Sequence, residues 1–198
     1  MRILLGEALP LRSDLIFVHA GKEDRKRYAL QLFASGIAPL ILFSVSRFEI
    51  RRFSTLPLPV PLDLLKLASD VPPPQRHFFV LLGYQTVHAI YVRPRFFGTL
   101  TEIESLRHWL LNHPEIHSIV IVSSSSHLKR IAMCCKFLLS GNLDIVLTAT
   151  PTPPAQPPHS PRLSAALFER LKTLTYWLIL ILGHGRARSN PATLPEKP

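Results

Sequence analysis

The sequence predicts an α/β domain built around a largely parallel sheet. Short apolar runs that read as buried strands alternate with stretches of helical period. The first such connection is about fourteen residues long with a helix in it, the usual route between parallel neighbours. The composition agrees: with 47% apolar and 18% charged residues in 198, the chain has material for one core with appendages, which excludes a disordered chain.

Asp14–Ala20 is an apolar run ending at Gly21 and reads as a strand. From Lys22 to Ser35 the period becomes helical, with Ala29, Leu32 and Phe33 on one side and Gly36 as the stop. Ala38–Ser44 repeats the strand pattern. Pro57, Pro59, Pro61 and the run Pro72–Pro74 then interrupt the chain and leave a short helix around Leu62–Ser69. His77–Leu82 and Val87–Val92 read as strands, and Thr99–Asn112 as a helix ahead of Pro114. A second βα pair follows, strand His117–Ser123 and helix Ser126–Leu139, stopped by Gly141. Strand Leu143–Thr148 closes the sheet, so residues 1–150 form the domain. Six prolines in the eleven positions Pro151–Pro161 make a stiff linker. Leu163, Ala166, Leu167, Leu171, Leu174, Trp177, Leu178 and Ile181 keep helical spacing over 162–183, a helix expected to pack on the domain. Residues 184–198 have no period and read as a disordered tail.

Charge and cysteines bound the partners. A net charge of +10 leaves nucleic acid, an anionic membrane surface or a phosphorylated small ligand. Cys134 and Cys135 are neighbours about 3.8 Å apart, too close for an ordinary disulfide. The run Met1–Gly6 is too short for a signal peptide, and Leu174–Gly183 is far short of the ~18 residues a bilayer span needs. The expected address is the cytoplasm, with peripheral contact to a membrane through Leu163–Leu182 as the additional option.

In an open α/β sheet, ligands bind beyond the carboxyl ends of the strands, where helices begin. Arg25 shares a narrow arc of the first helix with Ala29, Leu32 and Gly36. Glu102 aligns with Leu106 and Trp109, and His127 with Ile131, Cys134 and Leu138, with Arg130 at that stripe's edge. Three helices thus each aim an ionisable group inward from their first turn, the kind of cluster that binds ligands. Plainer readings compete. Thr99-Leu-Thr-Glu102 is a capping box, Arg25 and Glu102 form a structural ion pair, and Ser123–Ser126 is a loop with a helix cap beside a satisfied core histidine. His108, His113 and His117 resemble metal spacing, but Pro114 breaks the helix and no Cys or Asp completes a set, so no metal is assigned. Ser123–Ser126 lacks a G-x-S-x-G elbow. Lys22 with Arg25–Arg27, and Arg51-Arg52, read as solvated faces; nucleic acid, resting on charge alone, ranks last.

Leu15-Ile-Phe-Val18, Gly21, Arg25-x-x-x-Ala29-x-x-Leu32-x-x-x-Gly36, Ser44, Thr99-x-x-Glu102 and Ser124-x-x-His127-x-x-Arg130 form a series. Its order and spacing resemble the YdcF-like family, bacterial proteins of the SanA, ElyC and YdcF group that are mostly of unknown activity and often linked to the cell envelope. The match runs from about Asp14 to Thr148. The resemblance implies a Rossmann-like three-layer sandwich, here with the added C-terminal helix, and a site at the carboxyl edge of the sheet. It implies Arg25, Glu102, His127 and Arg130 as the functional charged positions; the site reading built on them takes His127 and Glu102 as catalytic candidates, and Gly21, Arg25, Ser44, Thr99, Ser124 and Arg130 as ligand contacts. Two departures stand out: the family's glycine-rich turn is reduced to His19-Ala20-Gly21, and its later glycine pair is replaced by Val45-Ser46. Many relatives carry an N-terminal membrane segment; none is read here. The expected ligand is an anionic, nucleotide-like or phosphorylated small molecule, its identity and any cofactor unassigned. If the protein is an enzyme, hydrolysis or transfer at a phosphate or ester is the class that fits. The alternative is a non-catalytic envelope or membrane-surface interaction module.

Overall fold

The computed structural model describes residues 1–5, 12–58, 62–92, 98–139 and 141–151. The linker beyond Pro151, the helix expected over 162–183 and the tail lie outside those residues. The elements run β1 (Arg2–Leu5), β2 (Leu15–Val18), α1 (Glu23–Ala34), β3 (Leu40–Ser46), α2 (Ile50–Phe53), α3 (Leu64–Ser69), β4 (His77–Leu82), β5 (Val87–Tyr91), α4 (Gly98–Leu111), β6 (Ser118–Ser123), α5 (Ser125–Leu138) and β7 (Asp144–Ala149). They form a mixed, mostly parallel sheet in the order β1-β7-β6-β2-β3-β4-β5. The architecture is the α/β sandwich the sequence predicts. No described helix is long and apolar enough to cross a membrane.

The local physics is simple. Leu15–Val18 is buried on both faces, as a central parallel strand must be. Gly36, at φ +78°, supplies the left-handed residue that ends α1. Alternation then divides the side chains between two layers. Ile16, Val18, Ile41, Phe43, Val120 and Val122 pack with Ala29 and Leu32 of α1, Phe53 of α2 and Leu64 of α3. Leu15, Phe17, His19, Leu42, Ser44, Ile121 and Ser123 alternate onto the other face. There Glu102 of α4 meets His19 and Ser44.

One expectation needs correction. Leu143–Thr148 does not close the sheet: β1 pairs in parallel outside β7, Arg2 opposite Asp144. With Leu4 and Leu5 exposed, so short an edge strand carries little hydrophobic signal. The sheet is largely parallel, as expected: β1, β7, β6, β2 and β3 run in parallel, and β4 and β5 add an antiparallel hairpin on its far side. The hairpin positions the site. Because β4 runs against β3, its first residue, His77, lies opposite Ser46 at the carboxyl end of β3. From β2 the chain moves outward to β3, and after the hairpin it returns to β6 on the other flank of β2. The β2/β6 boundary is therefore the switch point where such sheets open a crevice.

Candidate functional site

The end of β2 is tied down by two carboxylates from different directions. The Ala20 N–H donates to Glu102 Oε1 at 3.0 Å, and the next N–H, that of Gly21, donates to Glu49 Oε1 at 2.8 Å. Backbone groups that would otherwise cradle an anion at this turn are thus already paired inside the protein.

Glu102, 4% exposed, is the hub. Its second oxygen bonds His19 Nδ1, and Ser44 Oγ donates to Oε1 at 2.5 Å. Since that hydroxyl spends its proton on the carboxylate, it accepts from His77 Nε2, 2.7 Å away. Burial on its own would raise the Glu102 pKa. The charge of His19 and its hydrogen bond, then His77 and Ser44, outweigh burial and hold it at about 2. The His77 pKa moves down, because burial outweighs the pull of Glu102. A separate buried pair, Lys26 Nζ with Glu49 Oε2, anchors α1 to the segment after β3, and Ser46 Oγ adds a 2.5 Å bond to Glu49.

Arg25 stands apart from both carboxylates. Its Nε and Nη2 donate to Ser124 Oγ at 3.1 and 2.9 Å, and Nη1 donates to the Ala20 carbonyl. Desolvation lowers its pKa; Glu102 and Glu49 oppose that through space, and Arg130 adds to it. Gly21 makes the arrangement possible. Its φ is +136°, and a Cβ there would lie 2.6 Å from Arg25 Nη1 and 2.9 Å from Cζ. Gly21→Ala is therefore expected to cost about 1–3 kcal/mol through backbone strain, besides displacing the guanidinium. Urea denaturation checks this; an unchanged midpoint would remove that role from Gly21.

At the start of α5, Ser124 has the extended backbone of an N-cap, but its hydroxyl makes no capping bond and serves Arg25 instead. One turn on, Arg130 Nη2 lies 2.9 Å from His127 Nδ1. A guanidinium only donates, so His127 accepts through Nδ1 and carries its neutral-state proton on Nε2.

Gly21, Arg25, Thr99, Glu102, His127 and Arg130 line one cleft of about 340 Å³ at the carboxyl edge. Ser44 and Ser124 sit one layer behind the wall, holding Glu102 and Arg25. The plainer readings of the charged pair fail. Glu102 bonds across the sheet to β2 and β3, and no ion pair joins it to Arg25 among the described residues. Nor are Lys22 and Arg25–Arg27 a solvated face, since Arg25 and Lys26 are buried and only Lys22 and Arg27 point outward. Sequence reasoning missed His19, Glu49, His77 and Ser123, which also line the cleft. His19 was visible as the residue standing where a turn glycine was expected. Cys134 and Cys135 are buried, and burial pushes the Cys134 thiol up to about 12, so neither is a nucleophile here.

A larger groove of about 500 Å³ runs between α4 and the β4–β5 hairpin. Phe79, Ile90 and Trp109 share its wall with Glu104, His108 and His113, and no arginine or lysine is among its described lining residues. The carboxyl-edge cleft is the candidate on chemistry. No protein-family profile, curated protein or solved structure matches the chain.

Proposed function

We propose that the protein binds the anionic group of a nucleotide-like or phosphorylated small molecule in the carboxyl-edge cleft. Arg25 and Arg130 are its cationic arms, and His127 Nε2–H is a donor beside them. One observation carries this reading. Arg25 is 5% exposed, yet its hydrogen-bond partners, a serine hydroxyl and a backbone carbonyl, are both neutral, and Arg130 is near enough to repel it. A buried cation with no anion in contact is costly to hold. A bound phosphate would relieve both the desolvation and the repulsion. The first turn of α5 adds a favourable dipole and amide N–H groups at the same edge.

Within the reading, Glu102 orients His19 and Ser44 rather than Arg25. Kinship with the YdcF-like family, a role in cell-envelope metabolism, and hydrolysis or transfer at a phosphate or ester belong to the same proposal. They rest on the sequence pattern of Arg25, Thr99–Glu102 and Ser124–Arg130.

Arg25→Met is the test. Methionine fills the volume and removes a desolvated charge at the expense of three hydrogen bonds to neutral acceptors, so stability without ligand should change by no more than about 1 kcal/mol. Binding of inorganic phosphate, followed by calorimetry, should weaken at least about tenfold. Adding Glu102→Leu should bring no recovery of stability, because the two side chains are not partners. Unchanged phosphate affinity in Arg25→Met would sink the reading, as would a wild-type protein that binds no phosphate.

A further inference from the structure

His19 is 2% exposed at the end of the central strand β2, and its two ring nitrogens have opposite fates. Nδ1 is bonded to Glu102, whose other oxygen is fixed by the Ala20 N–H and the Ser44 hydroxyl. Nε2 is buried and has no partner among the described residues. Next to it in the sheet is a second such atom. Val18 pairs with Val122, and the His19 N–H donates to the Val122 carbonyl at 3.2 Å. His19 and Ser123 therefore follow as cross-strand neighbours on one face. Ser123 is fully buried, and its Oγ also lacks a partner among the described residues. Both residues line the cleft that Arg25 lines.

Buried polar atoms are almost always satisfied, so two adjacent exceptions in one cleft point to a ligand that satisfies them. The chemistry separates His19 from His127. An imidazole oriented by a carboxylate is arranged to exchange a proton at its far nitrogen, as in acid–base dyads generally. His127 instead accepts through Nδ1 from a guanidinium. With the Nδ1 proton held by Glu102 in either protonation state, His19 gains and loses protons only at Nε2.

We propose that His19 is the proton-transfer residue of this site, positioned by Glu102, and that His19 Nε2 and Ser123 Oγ together hold a hydroxyl of the ligand. This rests on the anion-site reading and narrows it to a phosphorylated polyol or sugar. The hydroxyl proton passes to Nε2 and returns from it, so no further reactant is needed for the exchange.

The experiment uses the full chain labelled with ¹⁵N-histidine, with the His19 ring signals assigned by loss in His19→Gln. At neutral pH, wild-type His19 should carry its neutral-form proton on Nδ1, and Glu102→Gln should erase that preference. Ribose 5-phosphate should shift the Nε2 signal, whereas inorganic phosphate should not. The dissociation constant for ribose 5-phosphate should rise about tenfold in His19→Gln while that for inorganic phosphate stays within about twofold. Ser123→Ala should show the same selectivity, which covers the case that His19→Gln does not fold. A neutral His19 protonated on Nε2 overturns the proposal, and so do unaltered affinities for both probes in both variants, with the anion site left standing. If neither probe binds the wild type, the anion-site reading falls and the ligand assignment falls with it.

Discussion

Lys26→Met is expected to destabilise the protein by about 3–5 kcal/mol, the loss typical of breaking a buried ion pair from one side. Lys26 is 2% exposed and its ammonium is bonded to Glu49, itself 6% exposed. Methionine replaces most of the lysine stem, so packing changes little and the effect isolates the charge. Glu49 would then keep the Gly21 N–H and the Ser46 hydroxyl but lose its counter-charge in a desolvated place. Adding Glu49→Leu should recover only part of the loss, because those two donors would lose their acceptor. The Glu23–Arg27 pair, one turn of the same helix and half exposed at Arg27, gives the contrast: Arg27→Ala should stay within about 0.5 kcal/mol. Urea midpoints of the three variants settle the matter. A Lys26→Met loss no larger than that of Arg27→Ala would mean that the buried pair contributes nothing.

The convergence of Arg25, Glu102 and His127 was legible in the sequence because it rests on two robust periodicities. Each residue sits near the start of an amphipathic helix that follows a strand, and a parallel crossover puts those helix starts at one edge of the sheet. What each group bonds was not legible. His77 reaches the hub because the β4–β5 hairpin reverses direction, and the register that sets it opposite Ser46 leaves no mark on either strand. The charges of residues 22–27 read as a solvated run. Helical spacing puts Arg25 and Lys26 on the same side as Ala29, but only the return of Glu49 from the segment after β3 explains how a lysine is tolerated there. Ser123–Ser126 reads as a loop with a helix cap, and Ser124 has the backbone of that cap, but its hydroxyl is diverted by an arginine ninety-nine positions away. The sequence pattern thus marked the positions, while the pairings came from tertiary register. The reduced glycine turn became intelligible only with the structure, where Glu102 and Glu49 occupy the amides and Arg25 fills the space above Gly21.

The acid limb of stability should be dominated by Glu102. Its pKa in the folded protein is about 2 against an ordinary 4.5, so unfolding exposes a carboxyl that binds its proton more readily. A depressed carboxylate stabilises the fold above the unfolded value and loses that contribution as the pH falls. For this group the loss runs from about pH 5 down to about pH 2 and amounts to about 3 kcal/mol. His77 acts in the same direction from higher pH, since its lowered pKa means the folded state resists protonation of a buried imidazole. Glu102→Gln separates the two. The amide keeps the shape and an acceptor for Ala20 N–H but never ionises, so His77 still titrates while the carboxylate contribution is gone. The gap in unfolding free energy between wild type and Glu102→Gln should be about 3 kcal/mol at pH 7 and shrink towards zero near pH 2. Denaturant titrations at half-unit pH steps would show it. A gap that stays constant with pH would mean that glutamine costs the protein shape or hydrogen bonds rather than charge. The ionised Glu102 that holds His19 Nδ1 would then have to be abandoned as the organising group of the cleft.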